Sequence, residues 1–579
     1  MVTKLKKTKI VCTMGPATDS DDILRELALN GLNVCRFNFS HGSHEEHKER
    51  MDRTKRIREE LNMPIAILLD TKGPEIRTGD FEEAIVLDEG EKFVVTMDDC
   101  IGNRERCTVS YKGMINDVKV GDTILIDDGL VALKITEIKG NDIITVVENS
   151  GKVSSKKGVN LPGVVINLPA ITDKDISDIK FGIEQGIDFI AASFVRKASD
   201  VLEIRKILEE NGADDIQIIS KIESHEGVEN IDSIIQVSDG IMIARGDMGV
   251  EIPSEEVPIV QKMIIRKCNE ISKPVITATQ MMDSMIRNPR PTRAEVTDVA
   301  NAIYDGTDAI MLSGETAAGK YPIEAVSTMN RIALRTEETL EYKISSFGKK
   351  EITVTDAISH ATCTTAMDLE AQAIITCTSS GYTTKQVSKF RPLAPIIAAT
   401  QSDRVMRKLS LNWGTYPVKS ELGQNTDEVI ENSIIAAREN GFVNTGDTVV
   451  VTAGVPVGKI GKTNLIKVSV IADFLGRGVG IGGESIVEGI ARVVKPGETP
   501  KVFNEGDILV AVGTDKEMVP YMEKASAIVT ETGGMTSHAA IAGINLGTPV
   551  VVSVKDITTK VKDGDKIRVE ATSGSITRE

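Results

Sequence analysis

The first 340 residues alternate short apolar runs with longer segments of helical periodicity. Near-continuous apolar runs that alternate with helices are typical of a buried parallel sheet, and eight such units favour a closed (β/α)8 TIM barrel over an open sheet. The eight predicted strands are Lys9–Gly15, Val34–Asn38, Pro64–Asp70, Phe189–Phe194, Ile216–Lys221, Gly240–Arg245, Pro274–Thr279 and Ala309–Ser313.

The barrel pattern is interrupted after the third strand, so we assign the barrel domain to residues 1–73 and 169–345. Residues 74–168 carry short alternating segments between Gly and Asp turns, which predicts an inserted β-barrel lid. Residues 346–473 return to an α/β pattern and predict a domain with an open, mostly parallel sheet. The glycine-rich residues 474–484 are interpreted as a linker, and residues 485–579 as a last, smaller domain.

Composition narrows the possible partners. The 579 residues carry a net charge of -17 and 3% aromatic residues, which argues against nucleic acid binding, since phosphate contacts need clustered cations. No run of about eighteen apolar residues and no signal-type N-terminus occur, so we expect no membrane partner and a cytoplasmic protein. The seven scattered cysteines are interpreted as reduced thiols.

Polar residues follow six of the eight predicted barrel strands. Active sites of such barrels lie at the carboxyl ends of the strands. A single polar strand end is commonly a solvated turn, but six of them on one rim favour a catalytic site. They are Arg36–Gly42, Asp70–Arg77, Ser220–Glu223, Ala244–Gly249, Thr277–Gln280 and Ser313–Thr316.

Charged residues on this rim point to phosphoryl transfer. Glu223 and Asp247 end neighbouring strands, where two carboxylates can hold one Mg²⁺. Arg36 and Lys221 bring positive charge to the same place, with Arg suited to bidentate phosphate contacts and Lys to a point charge. Cations and a metal around an anion are what phosphoryl transfer requires.

A second set on the rim is rich in neutral oxygens. One carboxylate with several hydroxyl and amide oxygens suits a monovalent cation better than a divalent one. Capping and turn hydrogen bonds are the alternative role for the same side chains. The set consists of Asn38, Ser40, Asp70 and Thr71.

A hydroxyl-rich loop occurs in the third predicted domain, between a strand and a helix. Hydroxyls, a glycine and free helix N–H groups suit a phosphate, and an ordinary N-cap is the alternative. The candidate residues are Thr378, Ser379, Ser380, Gly381 and Thr383.

Six segments occur in the order Asn33–Gly42, Asp70–Thr78, Lys156–Gly163, Ser220–Glu223, Ala244–Glu251 and Met311–Ala317. They resemble the motifs of the pyruvate kinase family, over about residues 8–473. The resemblance implies transfer of the phosphoryl group of phosphoenolpyruvate to ADP, giving pyruvate and ATP, the last step of glycolysis. It also implies a homotetramer, and a sugar phosphate or nucleotide monophosphate as allosteric effector at the hydroxyl-rich loop.

The same resemblance implies a role for each rim residue. Mg²⁺ or Mn²⁺ would lie on Glu223 and Asp247, and K⁺ on the oxygen-rich set; Glu75 goes with K⁺ dependence in this family. Lys221 would stabilise the phosphoryl group in transit. Substrate would contact Arg36, Lys221, Gly246, Asp247 and Thr279, and the nucleotide would contact Asn38, Phe39, Ser40, His41, Arg77 and Lys157. Thr279 could hold a proton-delivering water, and the enolate proton donor stays open.

The C-terminal segment around His538 resembles the swivelling phosphohistidine domain of phosphoenolpyruvate-utilising enzymes. Ile544 stands where that family usually has an Arg, and the chain has no ATP-grasp domain. Two interpretations follow: His538 is a retained, non-catalytic residue, or it is phosphorylated.

Two other function classes compete with a pyruvate kinase. One is a Mg²⁺-dependent barrel aldolase or lyase that acts on a pyruvate enolate, and the other is a non-catalytic metabolite sensor. Lys221, the lid and the nucleotide-facing set argue against the first, and the intact rim argues against the second.

Overall fold

The fold is that of a computed structural model, which describes residues 5–342, 352–456, 462–482, 485–495, 498, 500 and 502–578. Within those ranges, no helix has the length and apolar character needed to cross a membrane. The chain divides into two compact units. One comprises Met1–Met367, Thr376–Lys419 and Thr452–Leu465, and the other Asp368–Ile375, Ser420–Val451 and Ile466–Glu579.

Eight parallel strands close into a barrel in chain order, which confirms the predicted (β/α)8 architecture. Every strand is almost fully buried, as expected for a sheet covered by helices outside and packed with side chains inside. The strands, numbered one to eight in the text, are Lys9–Thr13, Val34–Asn38, Ala66–Asp70, Phe189–Ala192, Gln217–Ile222, Gly240–Ala244, Val275–Ala278 and Ala309–Leu312.

Several of the helices around the barrel begin with a side chain that caps the helix N-terminus. Ser43 accepts a hydrogen bond from the Glu46 N–H while the Glu46 carboxylate accepts one from the Ser43 N–H, and Thr292 and Glu295 repeat this capping box. The barrel helices are Asp21–Leu29, His44–Glu60, Asp173–Glu184, Ala198–Glu210, His225–Glu229, Ile231–Val237, Arg245–Glu251, Val257–Glu270, Arg293–Tyr304, Gly314–Ala317 and Pro322–Glu337, with 3-10 turns at Pro16–Thr18 and Asp283–Ile286.

The insertion is a β domain with its own apolar core, which includes Phe93 and Leu133. Its strands form one six-stranded and one two-stranded sheet, so the closure predicted for this lid is not found among the strand pairs of its described residues. The strands are Ile85–Leu87, Lys92–Thr96, Arg106–Thr108, Thr123–Ile126, Val131–Lys139, Asp142–Val147, Gly151–Val153 and Val159–Asn160, with a short helix at Met114–Asp117.

The next region is the predicted α/β domain. Its strands are, in sheet order, Thr415–Lys419, Ile396–Thr400, Ala373–Cys377, Thr448–Ala453 and Leu465–Val470, and they form an open sheet. The helices are Val354–Asp368, Tyr382–Ser388, Asp403–Leu409 and Thr426–Glu439. The boundary predicted at residues 345 and 346 lies outside the described residues.

The C-terminal region forms an eight-stranded sheet. In sheet order the strands are Asp473–Arg477, Ser575–Arg578, Lys566–Glu570, Ile486–Val494, Ile508–Ala511, Ala527–Thr530, Val550–Val552 and Val479–Ile481. The helices are Val519–Met522, His538–Leu546 and Ile557–Lys560, with a 3-10 turn at Lys516–Met518.

The glycine-rich segment is not the predicted linker. Its described residues supply both edge strands of the C-terminal sheet, paired antiparallel with Ser575–Arg578 and Val550–Val552. A side chain on Gly478 would collide with the Val552 carbonyl, and one on Gly480 with the Ala571 carbonyl. The glycines therefore permit close backbone contact within a sheet rather than flexibility between domains.

Candidate active site

Two cations flank one buried carboxylate on the barrel rim. Arg36 Nε lies 2.6 Å from Asp70 Oδ2, and Lys221 Nζ lies 3.1 Å from Asp70 Oδ1. Burial raises the pKa of Asp70, but Arg36 and Lys221 outweigh burial and leave it below the usual value. The carboxylate is thus held ionised between two cations that come from strands two and five.

Strand four contributes residues that the sequence pattern did not indicate. The Ser193 hydroxyl lies 2.8 Å from Lys221 Nζ and 3.2 Å from Asp70 Oδ1, and the Phe194 N–H donates to Glu223 Oε2 over 2.6 Å. The end of strand four and the two residues after it read Ala191-Ala-Ser-Phe, so the sequence signal is one small hydroxyl in an apolar run. These contacts orient Lys221 and Glu223 from the neighbouring strand.

Glu223 and Asp247 form an acidic pair that fits a divalent cation. Lys221 Nζ lies 3.1 Å from Glu223 Oε1, and Glu223 and Asp247 line one cavity. Burial raises the pKa of Glu223 to about 7, despite the lowering by Lys221, and burial also raises the pKa of Asp247. One buried and one half-buried carboxylate, whose negative charges Lys221 does not fully balance, are a donor set that suits Mg²⁺.

The predicted rim residues meet at a cavity of about 500 Å³. Its lining contains eight of the residues that were given a role, together with Lys72, Glu75, Lys156, Ser193 and Phe194, whereas Asp70, Thr71, Gly246 and Thr279 do not line it. A second cavity of about 390 Å³ also reaches Glu223 and Asp247 and is lined by Lys157 and Asp128 of the lid. The eight predicted lining residues are Arg36, Asn38, Ser40, His41, Arg77, Lys221, Glu223 and Asp247.

Thr279 ends strand seven in a strained conformation. Its φ is 65° and that of Gln280 is 55°, a region that β-branched residues rarely adopt. The Thr279 hydroxyl accepts from the Gly246 N–H over 2.8 Å and donates to the Ala278 carbonyl over 2.7 Å. Its proton is therefore used within the protein, in the hydrogen bond to the Ala278 carbonyl.

The lid presents polar groups to the same cleft. Arg77 Nε donates to Glu75 Oε2 over 2.7 Å, and Lys157 Nζ donates to Asp127 Oδ1 over 3.0 Å. Asn160 Nδ2 donates to Glu251 Oε1 over 2.8 Å and so links the lid to the helix that carries Asp247.

The oxygen-rich set lies together but is partly occupied by internal hydrogen bonds. The Ser40 N–H donates to Asn38 Oδ1 over 3.1 Å, and the Thr71 hydroxyl accepts from the Ser193 N–H over 3.1 Å. Asp70 is bound by the two cations. Phe39 is buried and stacks on His47 with ring centroids 4.1 Å apart, and it lines neither of the two cavities.

In the hydroxyl-rich loop around Gly381, Thr378 Oγ1 accepts a hydrogen bond from the Gly381 N–H over 2.9 Å, and Gly381 has a φ of 85°. Ser379 and Ser380 are exposed. Thr383 is buried, and its hydroxyl lies 2.9 Å from that of Thr463. The loop therefore offers the two serines to solvent, while the threonines build its shape.

His538 begins the helix His538–Leu546, which is capped by the Ser537 side chain accepting from the Ala540 N–H. The ring is exposed, and its Nδ1 lies 2.9 Å from the Thr514 hydroxyl. Ile544 is 59% exposed on the same helix.

Three family models and several named relatives match the chain. The family model of the pyruvate kinase barrel domain matches residues 5–326, that of the pyruvate kinase alpha/beta domain residues 356–469, and that of the PEP-utilising enzyme mobile domain residues 503–574. Relatives named pyruvate kinase in Geobacillus stearothermophilus, Bacillus licheniformis and Sporosarcina psychrophila are 55%, 53% and 51% identical to the chain, with 99% of both chains covered in each case.

Proposed function

The chain belongs to the pyruvate kinase family of phosphotransferases, and we propose that it transfers the phosphoryl group of phosphoenolpyruvate to ADP with the help of Mg²⁺ and K⁺. The observation that carries the proposal is the position of Lys221. Its ammonium lies 3.1 Å from both Asp70 and Glu223 at the wall of the rim cavity, which Asp247 and Arg36 also line.

Each rim group has a distinct task in this proposal. Glu223 and Asp247 would hold Mg²⁺, which when bound supplies positive charge to substrate oxygens. Lys221 and Arg36 hold the phosphoryl group and neutralise charge that builds up during transfer. Burial opposes the charged form of Lys221, but Asp70 and Glu223 outweigh burial and raise its pKa, so the ammonium stays protonated at neutral pH. Thr279 then lies beside the enolate and holds the water that protonates it.

A coupled assay tests this function directly. Phosphoenolpyruvate and ADP with Mg²⁺ and K⁺ should give stoichiometric pyruvate and ATP. A barrel aldolase or lyase would form or consume pyruvate without ADP, and a metabolite sensor would form none. Pyruvate formation that does not depend on ADP would rule the proposal out.

The K⁺ site is proposed on Asn38, Ser40, Asp70 and Thr71, and Glu75 lines the same cavity as Asn38 and Ser40. Replacing K⁺ and Na⁺ by tetramethylammonium should abolish most of the activity. Glu75→Lys should restore activity in that buffer, because an ammonium would take the place of the ion. Full activity of the unaltered enzyme without either alkali ion would contradict the site.

The exposed serines of the loop around Gly381 support an allosteric site for a sugar phosphate or a nucleotide monophosphate. Such a compound should change cooperativity toward phosphoenolpyruvate, and Ser380→Asp should abolish the change through charge repulsion. Ser402→Asp is the matched control, since Ser402 caps another helix that follows a strand. If the compound changed cooperativity equally in both variants and the parent, the proposed effector site would be contradicted.

For His538 we favour the retained, non-catalytic interpretation, because the partner of its Nδ1 is the Thr514 hydroxyl and Ile544 occupies the position of the usual Arg. Labelled phosphoenolpyruvate should therefore leave no acid-labile phosphate on the protein. Label that is lost in His538→Ala would establish the phosphorylated alternative.

The proposal also includes a homotetramer and a cytoplasmic location. Sedimentation velocity of the purified protein tests the oligomeric state.

A further inference from the structure

We propose that Arg245 and Asp298 are a positioning pair that holds the strained end of strand seven in the geometry required to protonate the pyruvate enolate. The inference rests on the proposed function, because it concerns the task of Thr279. Neither member of the pair has a role in the assignments above.

The segment to be held is Thr279-Gln280. Both residues have positive φ, 65° and 55°, although neither is a glycine. Two consecutive residues in this conformation are strained and persist where surrounding contacts fix them. The contacts made by their carbonyl groups therefore matter for the position of the Thr279 side chain.

Arg245 supplies those contacts. Its Nη2 donates to the Thr279 carbonyl over 2.8 Å, and its Nε donates to the Ala278 carbonyl over 3.2 Å. The side chain is 10% exposed, so these bonds are shielded from water. One guanidinium thus fixes the carbonyl of the strained threonine and that of the residue before it.

Asp298 fixes the guanidinium in turn. Its Oδ1 lies 2.7 Å from Arg245 Nη1 and its Oδ2 lies 2.7 Å from Nη2, which is a bidentate ion pair. Asp298 belongs to the helix Arg293–Tyr304, a rigid element of the barrel. The planar guanidinium of Arg245 binds a carboxylate with one edge and two carbonyl groups with another. The single ammonium group of a Lys cannot reproduce this geometry.

The pair also connects Thr279 to the metal end of the site. Gly246 follows Arg245 in the chain, and its N–H donates to the Thr279 hydroxyl over 2.8 Å. Asp247 comes next. Thr279 is therefore held from its carbonyl side by Arg245 and from its hydroxyl side by Gly246, in register with a proposed metal ligand.

This register matters for the second chemical step. Once the phosphoryl group has moved to ADP, the methylene carbon of the enolate takes a proton from the held water and becomes the methyl group of pyruvate. The hydroxide left behind takes a proton from bulk solvent. A displaced Thr279 misplaces that water, and a displacement of about 1 Å is enough to cost about 100-fold in rate.

The experiment compares Arg245→Gln, Arg245→Lys and Asp298→Asn with the control Arg205→Gln. Arg205 pairs with Asp239 over 2.7 Å elsewhere in the same barrel. Four properties are measured: kcat and KM, exchange of the pyruvate methyl protons for deuterium in D₂O, Mn²⁺ binding by electron paramagnetic resonance, and Tm. Deuterium exchange is the reverse of the protonation step and reports it separately from phosphoryl transfer.

Arg245→Gln should lower kcat and deuterium exchange together by about 100-fold, with KM for ADP and Mn²⁺ affinity within twofold of the parent. Arg245→Lys and Asp298→Asn should lose less, about tenfold, and Arg205→Gln should be unchanged. The inference is overturned if Arg245→Gln keeps its exchange rate while the parent is active. It is also overturned if, in both Arg245 variants, the loss of deuterium exchange is matched by a fall in Tm or in Mn²⁺ affinity, because general destabilisation or metal loss would then explain it. A parent that makes no pyruvate from phosphoenolpyruvate and ADP contradicts the proposed function itself.

Discussion

The barrel rim and the loop at His538 both carry residues associated with phosphoryl chemistry, yet they are built differently. On the rim, Arg36, Asp70 and Lys221 come from three strands and are buried around one another. At the other region, an exposed imidazole at a helix start contacts the hydroxyl of Thr514. In the barrel, charged residues that are far apart in the sequence lie around one cavity. In the C-terminal loop, the motif residue His538 lies without a comparable group of charged residues in the contacts described.

The two regions also differ in electrostatic balance. On the rim, the negative charges of Glu223 and Asp247 are not fully balanced by positive charge. Glu223 and Asp247 have raised pKa values because burial disfavours two negative charges, and a divalent cation relieves that cost. The His538 helix is already capped by Ser537. A cation bound at the rim would therefore have an electrostatic cost to relieve, whereas the cap of the His538 helix is supplied by the chain itself.

Replacing Lys221 by Met should have the largest effect of the changes considered. The variant keeps most of the side-chain volume but removes the charge beside the transferring group, so kcat should fall by about 10³-fold or more. Lys206→Met, on an exposed face of the same barrel, is the control and should keep its kcat. Activity of Lys221→Met within tenfold of the parent in the coupled assay would contradict the assignment of the rim.

Gly480→Ala should have the next largest effect, on stability rather than rate. A methyl group at this position meets the Ala571 carbonyl across the C-terminal sheet, and overpacking of this kind costs about 1–3 kcal/mol. Gly534→Ala has open space around the new methyl group and should be near neutral. Thermal unfolding of the two variants measures the difference, and equal Tm values would restore the linker interpretation.

The glycine-rich segment shows where sequence reasoning about the fold failed. The barrel strands were predictable because a short apolar run between helices is typical of a strand buried on both faces, and strand two was predicted with its observed bounds, Val34–Asn38. Glycine has two opposite uses, freedom in a linker and close approach in a sheet. The distinction for Gly478 and Gly480 depends on carbonyls that lie more than 70 residues away in the chain.

The candidate site shows the same limit. Charged strand ends such as Arg36 and Lys221 were identified because charge after an apolar run is conspicuous. Ser193 was missed because one hydroxyl among small apolar residues gives little signal, although it lies 2.8 Å from Lys221 Nζ. Arg245 was visible in a motif, but its function depends on Asp298, a partner that the sequence does not indicate.

Asp565→Asn tests a smaller effect, the contribution of one carboxylate to the stability of the C-terminal domain. A hydrogen bond from the Lys562 N–H lowers the pKa of Asp565, and Arg578 adds to the lowering. A depressed carboxyl pKa stabilises the fold above the ordinary value of 3.8 and ceases to do so as pH falls below it. The variant should therefore have a slightly lower Tm at pH 7, and the difference should shrink below about pH 4.

The exposed Glu505 offers a control of the same charge change, and Glu505→Gln should match the parent at both pH values. A Tm difference for Asp565→Asn that is unchanged between pH 7 and pH 3 would show that the carboxylate charge is not what stabilises this turn.

His538→Ala should have the smallest effect, with kcat and KM within twofold of the parent. A phosphoryl group has to be neutralised where it is transferred, and in the proposed function Arg36 and Lys221, which line the rim cavity, do this. The imidazole has a hydroxyl as its partner and an exposed Ile544 on its helix. Initial rates at saturating and limiting phosphoenolpyruvate measure the change. A tenfold loss, with Tm unchanged, would mean that the C-terminal loop takes part in turnover, and the contrast between the two regions would then fail.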